Sequence, residues 1–374
     1  MRYVKSTAGP GLLLLSVLMA GLAACAGPAW ENRYRAAVAR VTPAMTRHCV
    51  STPRYRVCSD GENAVLSDVA AFMEQAGTAF ERVLGLDPPP QGEGPSAVWL
   101  YTDRDRYRKV ASGLAFHSSI PGFFSPVAPS AVHVRWEKTE ETFPFSLLLH
   151  EGLHQQVDAR WRITSPRHNP GNRNQGHIGL PLWTNEGLAT YMESARMING
   201  RLITGGINKD RLAELAKNLA REKIPDLAAV LSRPYGAPFD SGDYAMAWGL
   251  VYDLKHGAGR AHLPGAPDLL DFYLKALGTD LADRYQSLLE DNGQADPAVP
   301  PISFHTWNPV MAQRSLTVFN QIVVGSGRTL DQWTQDWRQR MLALNTYAFA
   351  GSNAGIAVNA TGPQDELMEK MHRH

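Results

Sequence analysis

Phe143-Pro144-Phe145-Ser146-Leu147-Leu148-Leu149-His150-Glu151-Gly152-Leu153-His154 is the stretch on which the reading of this chain turns. From Phe143 to Leu153 it is an apolar run that suits a buried helix, and it closes on H-E-x-x-H. Side chains four apart in a helix lie one above the other, so His150 and His154 can offer two imidazole nitrogens to one tetrahedral zinc ion. Glu151 is turned one position round, beside the metal rather than on it. A carboxylate there can take a proton from a water whose pKa the metal has lowered to about 7. The same five-residue pattern also arises on half-buried helices with no metal, so the reading depends on a third ligand elsewhere.

Trp183-Thr184-Asn185-Glu186-Gly187-Leu188-Ala189-Thr190-Tyr191-Met192-Glu193 supplies one. Its apolar positions Leu188, Tyr191 and Met192 predict a second helix packed on the first, and Glu186 would complete the two-histidine, one-carboxylate set of a catalytic zinc site with an open fourth position. H-E-x-x-H followed by N-E-G-x-A-T-Y-x-E resembles the gluzincin superfamily, the thermolysin and aminopeptidase N-like clan, and is closest to its aminopeptidase N-like and peptidase-MA-like members. That resemblance implies an α+β fold, with a zincin-like N-terminal lobe (a mixed sheet plus the HExxH helix) and a mostly helical C-terminal lobe. It implies one zinc per chain held by His150, His154 and Glu186, with Glu151 as catalytic base. Glu193 would hydrogen-bond a ligand histidine and fix its orientation.

A third segment, Asp243-Tyr244-Ala245-Met246-Ala247-Trp248-Gly249-Leu250-Val251-Tyr252-Asp253-Leu254, opens a helix and resembles the Y-x-x-G-x-x-L-x-x-x-L element of the same family, with Ala247 where the glycine would be. By that resemblance Tyr244 stabilises the oxyanion of the tetrahedral intermediate; its other reading is an amphipathic-helix residue with a solvated hydroxyl. The 31 residues between His154 and Glu186 exceed the aminopeptidase spacing, and a polar insertion around Ser165 to Gln175 accounts for the excess. The metzincin pattern fails, because Val157 and Arg160 stand where its glycine and third histidine belong. Asp158, one turn past His154, and His168 and His177, in or beside the insertion, are rival ligands.

The substrate implied is a peptide or protein. The family's G-x-M-x-N stretch, which reads a substrate amino terminus, is missing upstream of the zinc helix, so an endopeptidase is favoured over an aminopeptidase. Two alternatives share the same residues: a lipid-anchored binding or assembly protein on this scaffold with little turnover, and a zinc hydrolase of non-peptide bonds.

The N-terminus carries Arg2 and Lys5, an apolar stretch from Gly11 to Ala20, and then Leu22-Ala23-Ala24-Cys25. This has the layout of a secretory signal and is too short for a membrane span. L-A-A-C resembles the bacterial lipobox, which implies cleavage after residue 24 and a lipid anchor at Cys25; Ala26, where an Asp would signal inner-membrane retention, favours the outer membrane, facing the periplasm. Removing Cys25 from the three cysteines leaves Cys49 and Cys58, which should form a disulfide in an oxidising compartment.

With the signal removed the formal charge of +1 becomes about −1, with no basic stripe, so nucleic acid is not an expected partner. The 44% of apolar residues is enough for a substantial core, and oligomeric state is left open. Helical spacing runs from Val65 to Leu84, where Gly85 and Pro88-Pro89-Pro90 end it. Ala97 to Tyr101 and Ala131 to Arg135 alternate as strands, and the latter is the candidate edge strand for extended substrate. Beyond Glu193 the chain reads as helices, with periodic stretches at Leu269 to Leu277, Leu281 to Leu289 and Leu330 to Leu344. The organisation expected is a signal peptide (1–24), an N-terminal segment with the disulfide (25–62), a zincin-like catalytic lobe (63–195), a helical lobe (196–350) and a disordered tail (351–374).

Overall fold

The structure is a computed structural model, and it describes residues 29–61, 65–86, 94–114, 120–127, 129–136, 143–161, 179–222, 225–257, 268–291, 302–325 and 327–353. The signal segment with Cys25, Pro88 to Pro90, the 165–175 insertion, His168, His177 and the tail beyond 353 lie outside these residues.

The chain opens with α1 (Ala29–Met45), the hairpin β1 (His48–Ser51) and β2 (Tyr55–Ser59), α2 (Leu66–Leu84), β3 (Ser96–Tyr101), α3 (Arg104–Gly113), β4 (Gly122–Ser125) and β5 (Ala131–Arg135). The five strands form one mixed sheet in the order β1-β2-β3-β5-β4. β2, β3 and β5 are parallel; β1 and β4 run antiparallel at the two edges. Strand alternation then sorts the side chains. Tyr55, Val57, Val98, Leu100, Val132 and Val134 face the main core, under α2 and the helix that follows β5. Cys58, Trp99, Tyr101, Phe123 and Ala131 face a second, smaller core capped by α1 and α3.

This order corrects one expectation. Ala131 to Arg135 is a strand, but it lies inside the sheet, paired on both sides; the edge is β4, from Gly122 to Ser125. β5 is the easier strand to read because Val132 and Val134 both enter the main core, whereas an edge strand of four residues offers little pattern. β1 and β2, from the N-terminal segment, belong to the same sheet as β3 to β5.

Cys49 and Cys58 face each other across β1 and β2 with Cα atoms 4.1 Å apart, and they form the expected disulfide. Closing a loop this short stabilises the fold by about 2–3 kcal/mol through the unfolded state. The Cys49→Ser, Cys58→Ser double variant is expected to lose that amount in denaturant melts under oxidising conditions; a loss unchanged by prior reduction of the parent would contradict the account.

His133, on β5, points into the small core, fully buried. Its Nε2 and Nδ1 each lie 2.8 Å from a tyrosine hydroxyl, those of Tyr34 and Tyr101. Burial lowers its pKa to about 3, against an unfolded value of about 6.5. The unfolded chain therefore binds a proton that the folded one refuses between these values, and stability falls with falling pH across that window by about 1.4 kcal/mol per unit. Denaturant midpoints measured from pH 7 to pH 4 should show this slope, and His133→Gln should flatten it.

The second half continues with α4 (Phe145–Arg160), α5 (Leu182–Met192), a hairpin of β6 (Arg196–Ile198) and β7 (Arg201–Ile203), and α6 (Lys209–Ala220). After these come α7 (Leu227–Leu231), α8 (Ser241–His256), α9 (Leu269–Asp291), α10 (Phe304–Gly325) and α11 (Leu330–Asn353). The stretches expected at 269–277 and 281–289 are one helix, continuous through Gly278. One hydrophobic core runs without a seam from Tyr55 to Met341, joining the sheet to these helices. Arg340 on α11 makes a bidentate ion pair with buried Asp253 on α8 at 2.8 and 2.7 Å, and Trp337 Nε1 donates to Gly249 O. These contacts clamp α8, which carries Tyr244. Among the described residues no helix is long and apolar enough to cross a membrane.

Candidate metal centre

Helix α4 lies between the sheet and α5, fixed on the sheet side by two glutamines: Gln155 Nε2 donates to Ala97 O and Gln156 Nε2 to the Tyr55 hydroxyl, each at 3.0 Å. Gly152 lets it settle against α2, because a Cβ there would come within 3.1–3.2 Å of Met73 and Phe80. On its other side α5 crosses α8 at backbone contact. A Cβ on Gly187 would sit 2.6 Å from the carbonyl oxygen of Ala247, a separation that side chains do not adopt. Ala247 is thus the partner of this close approach.

The packing brings the expected ligands together. His150, His154 and Glu186 are all buried, and each offers one ligand atom within 4.8 Å of the other two. Glu186 Oε2 lies 3.4 Å from His150 Nε2 and 3.6 Å from His154 Nε2. These separations are too long for good hydrogen bonds, and all three atoms are buried without a hydrogen-bond partner. Each such atom costs about 1–3 kcal/mol. Three facing one another match a metal-ligand set, since tetrahedral ligands about 2.0–2.1 Å from one ion stand about 3.4 Å apart. The structure thus holds a buried group able to bind a metal ion.

Both imidazoles are held from behind. His150 Nδ1 lies 2.9 Å from Glu193 Oε1, and Glu193 Oε2 accepts from Asn208 Nδ2 at 3.1 Å. His154 Nδ1 lies 3.1 Å from Asn185 Oδ1. Asn185 Nδ2 donates to the Tyr235 hydroxyl, which in turn donates to Leu180 O, both at 2.9 Å. With acceptors at both Nδ1 positions, the neutral rings take the tautomer that leaves each Nε2 lone pair facing Glu186, the form a metal ion would bind. Glu193→Gln weakens this hold, and a fall of about 10–100-fold in metal affinity is expected; competition with a chromogenic chelator would measure it, and an unchanged affinity would remove Glu193 from this role.

Charge follows the same geometry. Burial alone would lower His150, but the Glu186 and Glu193 carboxylates overcome it and push its pKa up to about 10. Burial would raise Glu186, but the two histidines outweigh it and hold the pKa at about 2. The pocket is built to hold positive charge between its carboxylates.

Glu151 is 3% exposed and does not join the ligand group. Its Oε2 accepts from the backbone N–H of Phe124 on the edge strand at 2.8 Å. Burial raises its pKa above the ordinary carboxylate value, against the pull of His150 and His154. Tyr244 is fully buried on the first turn of α8, which Asp240 and Asp243 cap reciprocally, and its ring centre is 6.4 Å from that of His150. Asp158 is described and stands apart from the ligand group.

Five contributors escape the sequence reading. Asn185 sits inside the quoted motif, but its role depends on Tyr235, from the loop before α8. Asn208 caps α6, and Phe124 acts through its backbone. The fifth is Arg211, 7% exposed on the first turn of α6, with its guanidinium 5.3 Å from the centre of the Tyr244 ring and its Nη2 lacking a hydrogen-bond partner among the described residues. Stacking on an aromatic ring recovers about 0.5–2 kcal/mol, less than the several kcal/mol lost on burying an unpaired charge.

Comparison with models of known families and with curated proteins finds no match to this chain. The assignment of the site therefore rests on its own geometry.

Proposed function

We propose that this chain is a zinc metallopeptidase of gluzincin type that cuts within peptide chains, exported and lipid-anchored at Cys25. The observation that carries the reading is the convergence of His150 Nε2, His154 Nε2 and Glu186 Oε2, with the Glu151 carboxylate one position round and against an open sheet edge. Two imidazoles and a carboxylate suit zinc, a borderline-soft ion of tetrahedral habit. Bound there, zinc supplies Lewis acidity: it polarises a carbonyl and acidifies water.

The remaining roles belong to side chains of this protein. Glu151 takes the proton of the attacking water and passes it to the amine that leaves. Tyr244 is assigned as the donor to the developing oxyanion, a role of the kind worth about 3–4 kcal/mol in activation free energy. Among the described residues β4 has a strand neighbour on one side only, and beside the Phe124 N–H, which Glu151 takes, an extended substrate can lie along the rest of this edge as an added strand. The disulfide supports an oxidising compartment.

The test is cleavage of a mixed peptide library by the zinc-loaded form lacking residues 1–25, read by mass spectrometry, with the Glu151→Gln protein run in parallel against contaminating proteases. Internal cuts made only with Glu151 present support the proposal. Cuts confined to amino termini would replace endopeptidase by aminopeptidase, and absence of any cut would favour the scaffold alternative.

A further inference from the structure

We propose that Arg211 is a carboxylate-binding residue of the substrate site, so that this enzyme selects peptides with a negative charge close to the bond it cuts. The inference rests on the peptidase reading above and adds a substrate class to it.

A guanidinium cannot shed its charge, and burying one without a counter-ion is unfavourable. Arg211 is buried, and among the described residues its Nη2 has no hydrogen-bond partner and no acidic side chain pairs with it. The nearby acids are engaged elsewhere. Glu214, one turn along the same helix, accepts from Ser241 Oγ. Asp243, next to Tyr244, is held by Arg233 at 2.5 Å. Glu193 is shared between His150 and Asn208.

The position is also tied to the metal centre. Arg211 donates its backbone N–H to Asn208 Oδ1, and Asn208 donates to Glu193, which holds His150. Its guanidinium is 5.3 Å from the Tyr244 ring, and that ring is 6.4 Å from the His150 ring. An extended peptide advances about 3.5 Å per residue, so these distances span no more than about three residues of substrate.

The chemistry at this position favours a carboxylate. A planar guanidinium pairs with it through two parallel hydrogen bonds. Arg233 is already paired with Asp243, so among the described residues it is Arg211 that is left to be matched by a negative charge. That carboxylate can be the carboxyl terminus of a short peptide or an acidic side chain.

The experiment measures equilibrium binding of three N-acetylated peptides of one parent sequence to the full-length, zinc-loaded Glu151→Gln protein in detergent, by calorimetry. The first peptide has a free carboxyl terminus, the second is amidated and neutral, and the third is amidated with one Glu near its end. At least one charged peptide is expected to bind about tenfold or more tightly than the neutral one. Preference for the first identifies a terminal carboxylate, and preference for the third a side chain. In the Arg211→Met background the gap should close while the neutral peptide binds within about twofold of its former affinity.

Equal binding of all three peptides with Arg211 in place overturns the subsite and leaves the peptidase reading standing. A preference that survives Arg211→Met also overturns it. Binding of no peptide overturns the peptidase reading and this inference with it. Because the three-peptide comparison is made with Arg211 present, it decides the matter even if the Met variant does not fold.

Discussion

Glu151→Gln is expected to slow peptide hydrolysis by about two to four orders of magnitude while metal content and fold are kept. Gln has the shape of Glu, and its amide oxygen can still accept from Phe124 N–H, as Glu151 Oε2 does at 2.8 Å. What it cannot do is take a proton. The ligand group of His150, His154 and Glu186 is untouched by the change, so metal analysis should return the same stoichiometry. Steady-state rates on an internally quenched peptide, with metal content measured on the same samples, make the check. A Gln variant that keeps more than about a tenth of the parent rate would show that the base lies elsewhere.

Glu186→Ala is expected to abolish tight metal binding, a larger loss than the roughly 10–100-fold assigned to residues that only orient a ligand. The variant removes one of three buried ligand atoms. Stability gives a second readout. A metal present at about 100 times its dissociation constant stabilises the parent by about 2.7 kcal/mol, and a chelator should reverse the gain. The Ala variant should melt at one temperature whether or not metal is added. A parent that shows no metal-dependent shift would remove the metal centre, and Glu186→Ala that still shows one would move the third ligand to another residue.

The sequence makes the ligand set legible because its signals are local. His150 and His154 are one helical turn apart, and Glu186 sits in a short motif with its own helical pattern. Strands β3 and β5 are legible because both of their faces are covered and their composition shows it. α2 is legible to within a residue of its ends, since Gly85 at φ +63° closes it where the pattern stops.

The features that escape the sequence depend on pairing between distant segments. Whether a strand is an edge is a property of its neighbours, which is why β5 was the candidate and β4 holds the place. Asn185 and Tyr235 are 50 positions apart, and neither shows a pattern until the loop before α8 folds onto α5. Arg211 reads as the exposed first turn of an amphipathic helix; only its burial against Tyr244 sets it apart. Of the candidate site, His150, Glu151, His154 and Glu186 are visible in the chain, while the residues that orient them require the fold.

The contact between Gly187 and Ala247 acts as a gauge block for the candidate metal centre. Glu186 is the residue before Gly187, and Tyr244 lies three before Ala247 on the opposing helix, so the backbone-to-backbone approach sets the gap between Glu186 and Tyr244. No side-chain rotamer can absorb a change at this point, because the surface that a Cβ would meet is a carbonyl oxygen. Position 187 therefore constrains the spacing of the two chemical groups without taking part in the chemistry. Engineering aimed at a wider substrate range has correspondingly little to gain there, and the room to vary lies along β4 and around Arg211.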